Sequence, residues 1–161
     1  MIVADMMCRF PVIVSPDISC ARALSIAEEH GSHFLLAVDA NDLLGVLRSC
    51  DLKRAHPATR AGRTIHGPVM PIGVTDSLTL ATRMLTLGGA GCLVVVDDDS
   101  CLHGIVTRQD LFRVGVSAPE RGVDCCAACG AQDHLIFGGI DQPAFCCGCL
   151  DTAKTLISSV A

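Results

Sequence analysis

One eight-residue pattern occurs twice in this chain, at residues 45–52 and 104–111, and it constrains the fold more than any other feature. Each copy begins with glycine, continues through a short apolar stretch and ends in Asp-Leu. The apolar residues predict a strand, and the polar residues after them predict a helix start. The start of a helix presents unpaired N–H groups and favours anions. The chain is therefore predicted to make the same strand-to-helix junction twice.

The surroundings of the two copies repeat as well. The first half predicts strands at 10–14, 34–38 and 43–47, a helix that starts at residues 15–17 and stops at Gly31, and a second helix at 49–55. The second half predicts strands at 72–74, 92–96 and 102–106 and a helix that starts at residues 75–77 and stops at Gly88-Gly89. Its last helix begins at Thr107. Residues 56–68 are the predicted linker, and residues 117–122 form a boundary before a cysteine-rich tail.

This β-α-β-β-α unit, ending in Gly-x-Val-Thr-x-x-Asp-Leu, resembles the CBS domain, which is named for cystathionine β-synthase. Residues 5–7 and 69–70 resemble the family's lead-in segments. The resemblance implies an α+β fold in which repeats at 1–60 and 61–118 pack as a pseudo-twofold pair. It also implies a regulatory protein, not an enzyme, that binds an adenosine nucleotide such as AMP or ATP, or another adenosyl compound, between the repeats. Members commonly form homodimers, and apolar stripes at Leu24 and Met84 favour a homodimer here.

The resemblance also assigns ligand-binding roles to residues of two clefts. The preferred cleft contains Thr107, Asp110, Pro11, Val12, His33 and Phe34. There the Asp would hold ribose hydroxyls, while the Thr and the His would contact phosphate. In the opposite cleft Asp51 would face residues 72–73 and 91–92, but Arg48 replaces the family's threonine. Arg48 would either bind phosphate bidentately or fill the cleft with its own side chain.

Thr107 and Asp110 have a second interpretation. The Thr-x-x-Asp spacing at a helix start is also a capping box, in which both side chains satisfy backbone N–H groups. Both roles are compatible within a CBS-like repeat. His33 can likewise be interpreted as a hydrogen-bonded, partly buried histidine that does not contact a ligand. The remaining histidines considered, His30, His56, His66 and His103, are predicted to be surface residues.

Two Cys-x-x-Cys motifs mark the tail. Their cysteines are Cys126, Cys129, Cys146 and Cys149, with 16 residues between the motifs. Four thiolates at this spacing predict a closed tetrahedral zinc site, and iron in a rubredoxin-like site is the alternative. Residues 119–161 resemble a zinc ribbon followed by a C-terminal helix, and the metal would supply much of the folding free energy of so small a module. Cys125 and Cys147 would substitute for a ligand or act as redox-active thiols, and His134 is a weaker substitute.

Composition narrows the function. The 161 residues are half apolar, yet no apolar run reaches the roughly 18 residues of a membrane span, and the N-terminus lacks a signal-peptide pattern. A cytoplasmic protein is therefore expected, with its eleven cysteines reduced or bound to metal. The net charge of −5 and the absence of Trp and Tyr argue against nucleic-acid binding.

No catalytic constellation is present in the sequence. The leading prediction is a sensor of adenosine-nucleotide state that reports to an unknown protein partner. One alternative is a metal or redox sensor in which the CBS pair is mainly a dimeric scaffold. Another is a nucleic-acid or protein adaptor that uses the ribbon.

Overall fold

The structure, a computed structural model, describes residues 1–65, 67–86 and 90–116, together with the backbone of two later strands. The first repeat contains β1 (Val12–Val14), α1 (Cys20–Glu29), β2 (Phe34–Asp39), β3 (Asp42–Arg48) and α2 (Ser49–Arg54). The second contains β4 (Pro71–Gly73), α3 (Leu78–Thr86), β5 (Cys92–Val96), β6 (Leu102–Thr107) and α4 (Arg108–Arg113). The predicted β-α-β-β-α order is thus confirmed in both repeats. The later strands are β7 (Leu135–Phe137) and β8 (Ala144–Cys146).

Each repeat builds its own three-stranded sheet. In the first sheet β2 lies between β1, which is parallel to it, and β3, which is antiparallel. The second sheet has the same arrangement, with β5 between β4 and β6. The hairpin between β2 and β3 turns through Ala40 and Asn41, both at positive φ, which is typical of a tight two-residue turn. The two repeats are therefore alike in topology as well as in sequence order.

The central strands are buried on both faces, which explains why their sequences are continuously apolar. Along β2, Phe34 and Leu36 join a cluster that also contains Val94 and Ile105 of the second repeat. Leu35, between them, points to the cluster under α1. One cluster thus joins the two sheets. A second cluster lies between the first sheet and its helices, and a third lies between the second sheet and its helices.

The apolar stripes expected to form a dimer surface contribute to these cores. Leu24 packs against the cluster of the first repeat, and Met84 packs against the cluster of the second. Both side chains are half-buried within the chain itself. The homodimer stays a prediction.

Helix α1 begins later than the sequence pattern predicted. Ser19 is its N-cap, because the Ser19 hydroxyl accepts a hydrogen bond from the N–H of Arg22 at 3.2 Å. Ser15 instead accepts from the N–H of Asp17 at 3.3 Å and closes a turn before the helix. The predicted stop is confirmed, since the helix ends at Glu29 and Gly31 has a φ of 59°.

The segment before each repeat packs on the other repeat. Near the N-terminus, the N–H of Val3 donates to the carbonyl of Asp76, and Cys8 exchanges two backbone hydrogen bonds with Ile105. The linker does the same for the first repeat, where the N–H of Ala61 donates to the carbonyl of Ile18 at 2.7 Å. Each repeat is therefore completed by a segment that lies outside its own β-α-β-β-α unit.

Candidate ligand-binding site

The two copies of the repeated pattern form equivalent strand-to-helix junctions, and their glycines allow close approach. A Cβ atom on Gly104 would lie 2.3 Å from the backbone carbonyl oxygen of Cys8. A Cβ atom on Gly45 would lie 2.4 Å from Cγ2 of Ile65. In each copy the glycine thus makes room for the segment that crosses over from outside the repeat.

A cleft of about 250 Å³ opens beside the second junction. One wall comes from β6 and α4 of the second repeat, and the other comes from the start of β1 and the turn between α1 and β2. All six residues assigned to the preferred cleft line it: Pro11, Val12, His33, Phe34, Thr107 and Asp110. The structure therefore brings residues from distant parts of the sequence, and from both repeats, into one cavity.

Asp110 is a buried carboxylate in the cleft wall. Its carboxylate is 4% exposed, and Oδ2 accepts hydrogen bonds from the N–H and the hydroxyl of Thr107, each at 2.8 Å. Its Oδ1 lies 3.3 Å from the guanidinium of Arg113, one turn along α4. The carboxylate thus fulfils the capping role expected for it. Because a carboxylate has about four lone-pair sites, it retains capacity to accept a hydroxyl donor from a ligand.

Arg108, the first residue of α4, is a buried cation that the sequence pattern did not single out. It is 4% exposed, and its guanidinium donates to the carbonyl of Leu85 near the C-terminal end of α3. Since a helix C-terminus favours positive charge, this contact ties α4 to α3. The contact helps to fix the position of the junction, and neither of its residues lines the cleft.

Several lining residues were not predicted from the sequence: Cys8, Phe10, His30, Gln109 and Arg113. His30 is exposed as expected of a surface residue, but it lies at the cleft. Phe10 is 90% exposed despite its apolar ring. The place of Arg113 beside Asp110 could have been predicted from the sequence, because it follows Asp110 by three residues and such positions share a helix face.

The first junction has a different chemistry. Nε of Arg48 lies 2.6 Å from Oδ2 of Asp51, and the two side chains are only about one-fifth exposed. The two residues assigned to the opposite cleft therefore meet each other, and neither lines the cleft at Thr107. Arg48 neutralises the carboxylate that the family resemblance assigned to a ligand.

Another hydrogen-bonded carboxylate, that of Asp97, lies away from the cleft, in the hairpin between β5 and β6. Asp97 accepts hydrogen bonds from the N–H groups of Asp99 and Cys101, and its Oδ2 lies 2.7 Å from Nε2 of His103. The hydrogen bond from His103 is the main reason why the pKa of Asp97 lies below its usual value. His103, expected to be a plain surface residue, thus has an acidic partner.

The predicted metal ligands lie mostly outside the described residues. Cys126, Cys129 and Cys149 are not described, and Cys146 is described only as the last backbone position of β8. Strands β7 and β8 pair antiparallel, with Leu135 opposite Cys146. Over residues 1–65, 67–86 and 90–116, no cluster of three His, Cys, Asp or Glu side chains is arranged to hold a metal.

The five cysteines within residues 1–65, 67–86 and 90–116 are free thiols. Cys8 and Cys101 are exposed, while Cys20, Cys50 and Cys92 are buried. Burial, with the nearby Asp110 carboxylate contributing, raises the pKa of Cys92 far above that of an ordinary thiol. Cys92 therefore stays protonated and acts as a small apolar core residue.

Comparison with known proteins defines the family. The sequence model of the CBS domain matches residues 3–57 and 65–117, about two thirds of the chain. The chain belongs to the CBS domain family. No curated protein matches it. In the described part of the chain, no helix has the length and apolarity to cross a membrane.

Solved structures share the fold of the two repeats. The protein AcuB from Vibrio cholerae is 26% identical with a TM-score of 0.64, over 72% of this chain and 90% of that one. The CBS domain pair of protein MJ0100, in complex with 5′-methylthioadenosine and S-adenosyl-L-methionine, is 23% identical with a TM-score of 0.65, over 71% and 94%. The cytosolic domain of the Mg²⁺ channel MgtE, in complex with ATP, is 25% identical with a TM-score of 0.59, over 68% and 46%.

Proposed function

We propose that this protein is a regulatory sensor that binds an adenosine nucleotide or adenosyl compound in the cleft between Thr107, Asp110 and the first repeat. The observation that carries the proposal is the meeting of all six assigned residues in one cavity whose walls come from both repeats. The CBS domain pair of MJ0100 is in complex with adenosyl compounds, and the cytosolic domain of MgtE is in complex with ATP, which supports the same ligand class here.

The cleft has the size and polarity for this role. Its volume of about 250 Å³ lies just below the usual range of ligand pockets, so it suits a nucleoside with its charged groups extending toward solvent. Pro11 and Val12 offer apolar contact for a base, while Asp110 offers an acceptor for ribose hydroxyls. A ligand that touches both walls stabilises the pair by binding the folded state alone. Such a ligand couples its own concentration to the arrangement of the two repeats.

The opposite cleft is proposed not to bind ligand. The close pair of Arg48 and Asp51 supports this, since a ligand that needed Asp51 would have to break a short, mostly buried ion pair. One ligand per chain is therefore expected.

Calorimetry of the metal-loaded protein against AMP, ADP, ATP and S-adenosylmethionine tests the proposal. Asp110→Ala should weaken the best ligand about 10- to 100-fold, because it removes the ribose acceptor. Asp51→Ala is the matched control, since both residues stand at the same position of equivalent short helices, and it should leave the affinity almost unchanged.

Two outcomes would contradict the proposal in different ways. If Asp51→Ala abolished binding and Asp110→Ala left it intact, the ligand would occupy the other cleft. If none of the four compounds bound to the wild-type protein, the sensor function itself would be wrong. Thermal melting of both variants checks that the loss of binding is not a loss of folding.

We also propose that Cys126, Cys129, Cys146 and Cys149 hold one structural zinc, with iron as the alternative metal. The antiparallel pairing of β7 and β8 supports a compact module, because it brings the chain between the two motifs back on itself. In this proposal the metal module passes the ligand state of the cleft to a protein partner. A protein that bound metal but none of the four compounds would instead be a metal or redox sensor with the CBS pair as its scaffold.

A further inference from the structure

We infer that Arg113 makes the cleft selective for phosphate-bearing adenosine nucleotides over uncharged or sulfonium adenosyl compounds. The inference rests on the proposed function and names the ligand class within it. Among the described lining residues, Asp110 is the single carboxylate, and Arg113, His30 and His33 are the basic side chains.

The positions of these basic groups favour an anion held between the walls. His30 and His33 belong to the turn after α1 in the first repeat, and Arg113 ends α4 in the second repeat. The charge of the one carboxylate is partly compensated, since its oxygens face Thr107 and Arg113. A phosphate that entered the cleft would thus meet a guanidinium on one side and imidazoles on the other.

Arg113 is placed to make this contact. Its side chain is 70% exposed, while the Asp110 carboxylate that holds one of its terminal nitrogens is 4% exposed. The buried Asp110 carboxylate therefore orients the guanidinium of Arg113 and leaves most of it accessible to a ligand. A guanidinium has five N–H donors, and planar pairing with phosphate is its strongest interaction. A sulfonium would be repelled by the same group, and an uncharged thioether would gain nothing from it.

The first repeat provides a matched control for the test. Arg54 follows Asp51 by three residues, as Arg113 follows Asp110, and both arginines end their helices. Calorimetry should therefore compare the wild-type protein, Arg113→Gln, Arg113→Lys and Arg54→Gln. The ligands are ATP, AMP, S-adenosylmethionine and 5′-methylthioadenosine, each at low and high salt.

We expect the wild-type protein to bind ATP or AMP more tightly than 5′-methylthioadenosine. Arg113→Gln should weaken the phosphate ligands about 10- to 100-fold and change the affinity for 5′-methylthioadenosine by less than about 3-fold. Arg113→Lys should restore part of the loss, because it keeps the charge but not the planar pairing. Arg54→Gln should change neither.

Three results would overturn the inference. The first is a wild-type preference for S-adenosylmethionine or 5′-methylthioadenosine. The second is an equal loss of all ligands in Arg113→Gln, which would mean that Arg113 acts only by positioning Asp110. Each of these leaves the sensor function standing. The third, no binding of any ligand to the wild-type protein, removes the proposed function and this inference with it.

Discussion

Two carboxylates of the second repeat, Asp110 and Asp97, have similar partners but different surroundings. Each accepts a backbone N–H and faces a basic side chain. Asp110 is buried at the cleft, whereas Asp97 lies in a hairpin with its side chain 30% exposed. Asp110 therefore belongs to the candidate site, while Asp97 stabilises a turn in contact with water.

The lowered pKa of Asp97 predicts a pH-dependent contribution to stability. The ordinary pKa of this carboxyl group is 3.8, and its pKa in the folded protein is lower. The group therefore stabilises the folded state at a pH above 3.8, and this contribution is lost as the pH falls through the folded pKa. Asp97→Asn keeps an oxygen acceptor but removes the charge. The variant should be less stable than the wild type at neutral pH, and the difference should shrink below pH 3.8.

Urea denaturation of both proteins across this pH range measures the difference. Asp98→Asn is the control, because it removes an equal charge from the adjacent position of the same turn. A gap between Asp97→Asn and the wild type that stayed constant with pH would show that the charge of Asp97 has no stabilising role.

The cleft residues that belong to one local motif were predictable from the sequence, whereas the lining residues that depend on tertiary geometry were not. Thr107 and Asp110 stand at a fixed spacing in a repeated pattern, so their partnership was predictable. Phe10 and Cys8 reach the cleft only because the N-terminal segment crosses to β6, a contact that no local pattern encodes. Arg48 was recognised as a departure from the family, but only the structure shows which side chain it meets.

At the scale of elements, the central strands are predictable from the sequence, whereas the start of α1 is not. Strands β2 and β5 are continuously apolar because both their faces are buried, and that pattern is visible without knowledge of the fold. The start of α1 was misplaced because Ser15 and Ser19 are both good caps, and Pro16 suits a turn as well as a first helical turn. The linker contacts of Ala61 with Ile18, beside the true start, were not visible in the sequence.

The two pattern glycines give a prediction for the strands that carry them. Gly104→Ala should destabilise the protein by about 1–3 kcal/mol, because the added methyl group meets the backbone of Cys8, which cannot move without breaking its pairing with Ile105. Gly45→Ala should cost less, since its methyl group meets only the side chain of Ile65, which can change rotamer.

Denaturation midpoints of the two variants, compared at unchanged m-values, test this order. Equal destabilisation would mean that Ile65 is held as rigidly as the backbone. A neutral Gly104→Ala would mean that the N-terminal segment does not lie against β6 in solution.

At the scale of the whole molecule, the chain is proposed to combine a two-repeat sensor with a metal-held tail. One zinc or iron per chain is expected in protein purified without chelator. Cys126→Ser and Cys149→Ser should lose it, because a closed site needs all four thiolates. Cys125→Ser is the matched control, since it removes an adjacent thiol outside the proposed ligand set.

Elemental analysis of each variant measures the metal directly. Metal-free wild-type protein would rule out the site. Metal that survived Cys126→Ser but not Cys125→Ser would keep the site and change its ligands.

The N-terminal segment and residues 60–65 each pack on the repeat that they do not directly precede, and this has a consequence for how the chain is made. During synthesis the N-terminal segment leaves the ribosome long before residue 105, its pairing partner, has been added. The first repeat also stays incomplete until residues 60–65 have been added, because these residues pack against it. Non-local pairing of this kind delays folding until both partners are present. The two halves therefore mature together, because the second repeat is complete only when the N-terminal segment meets both Asp76 and the later strand β6.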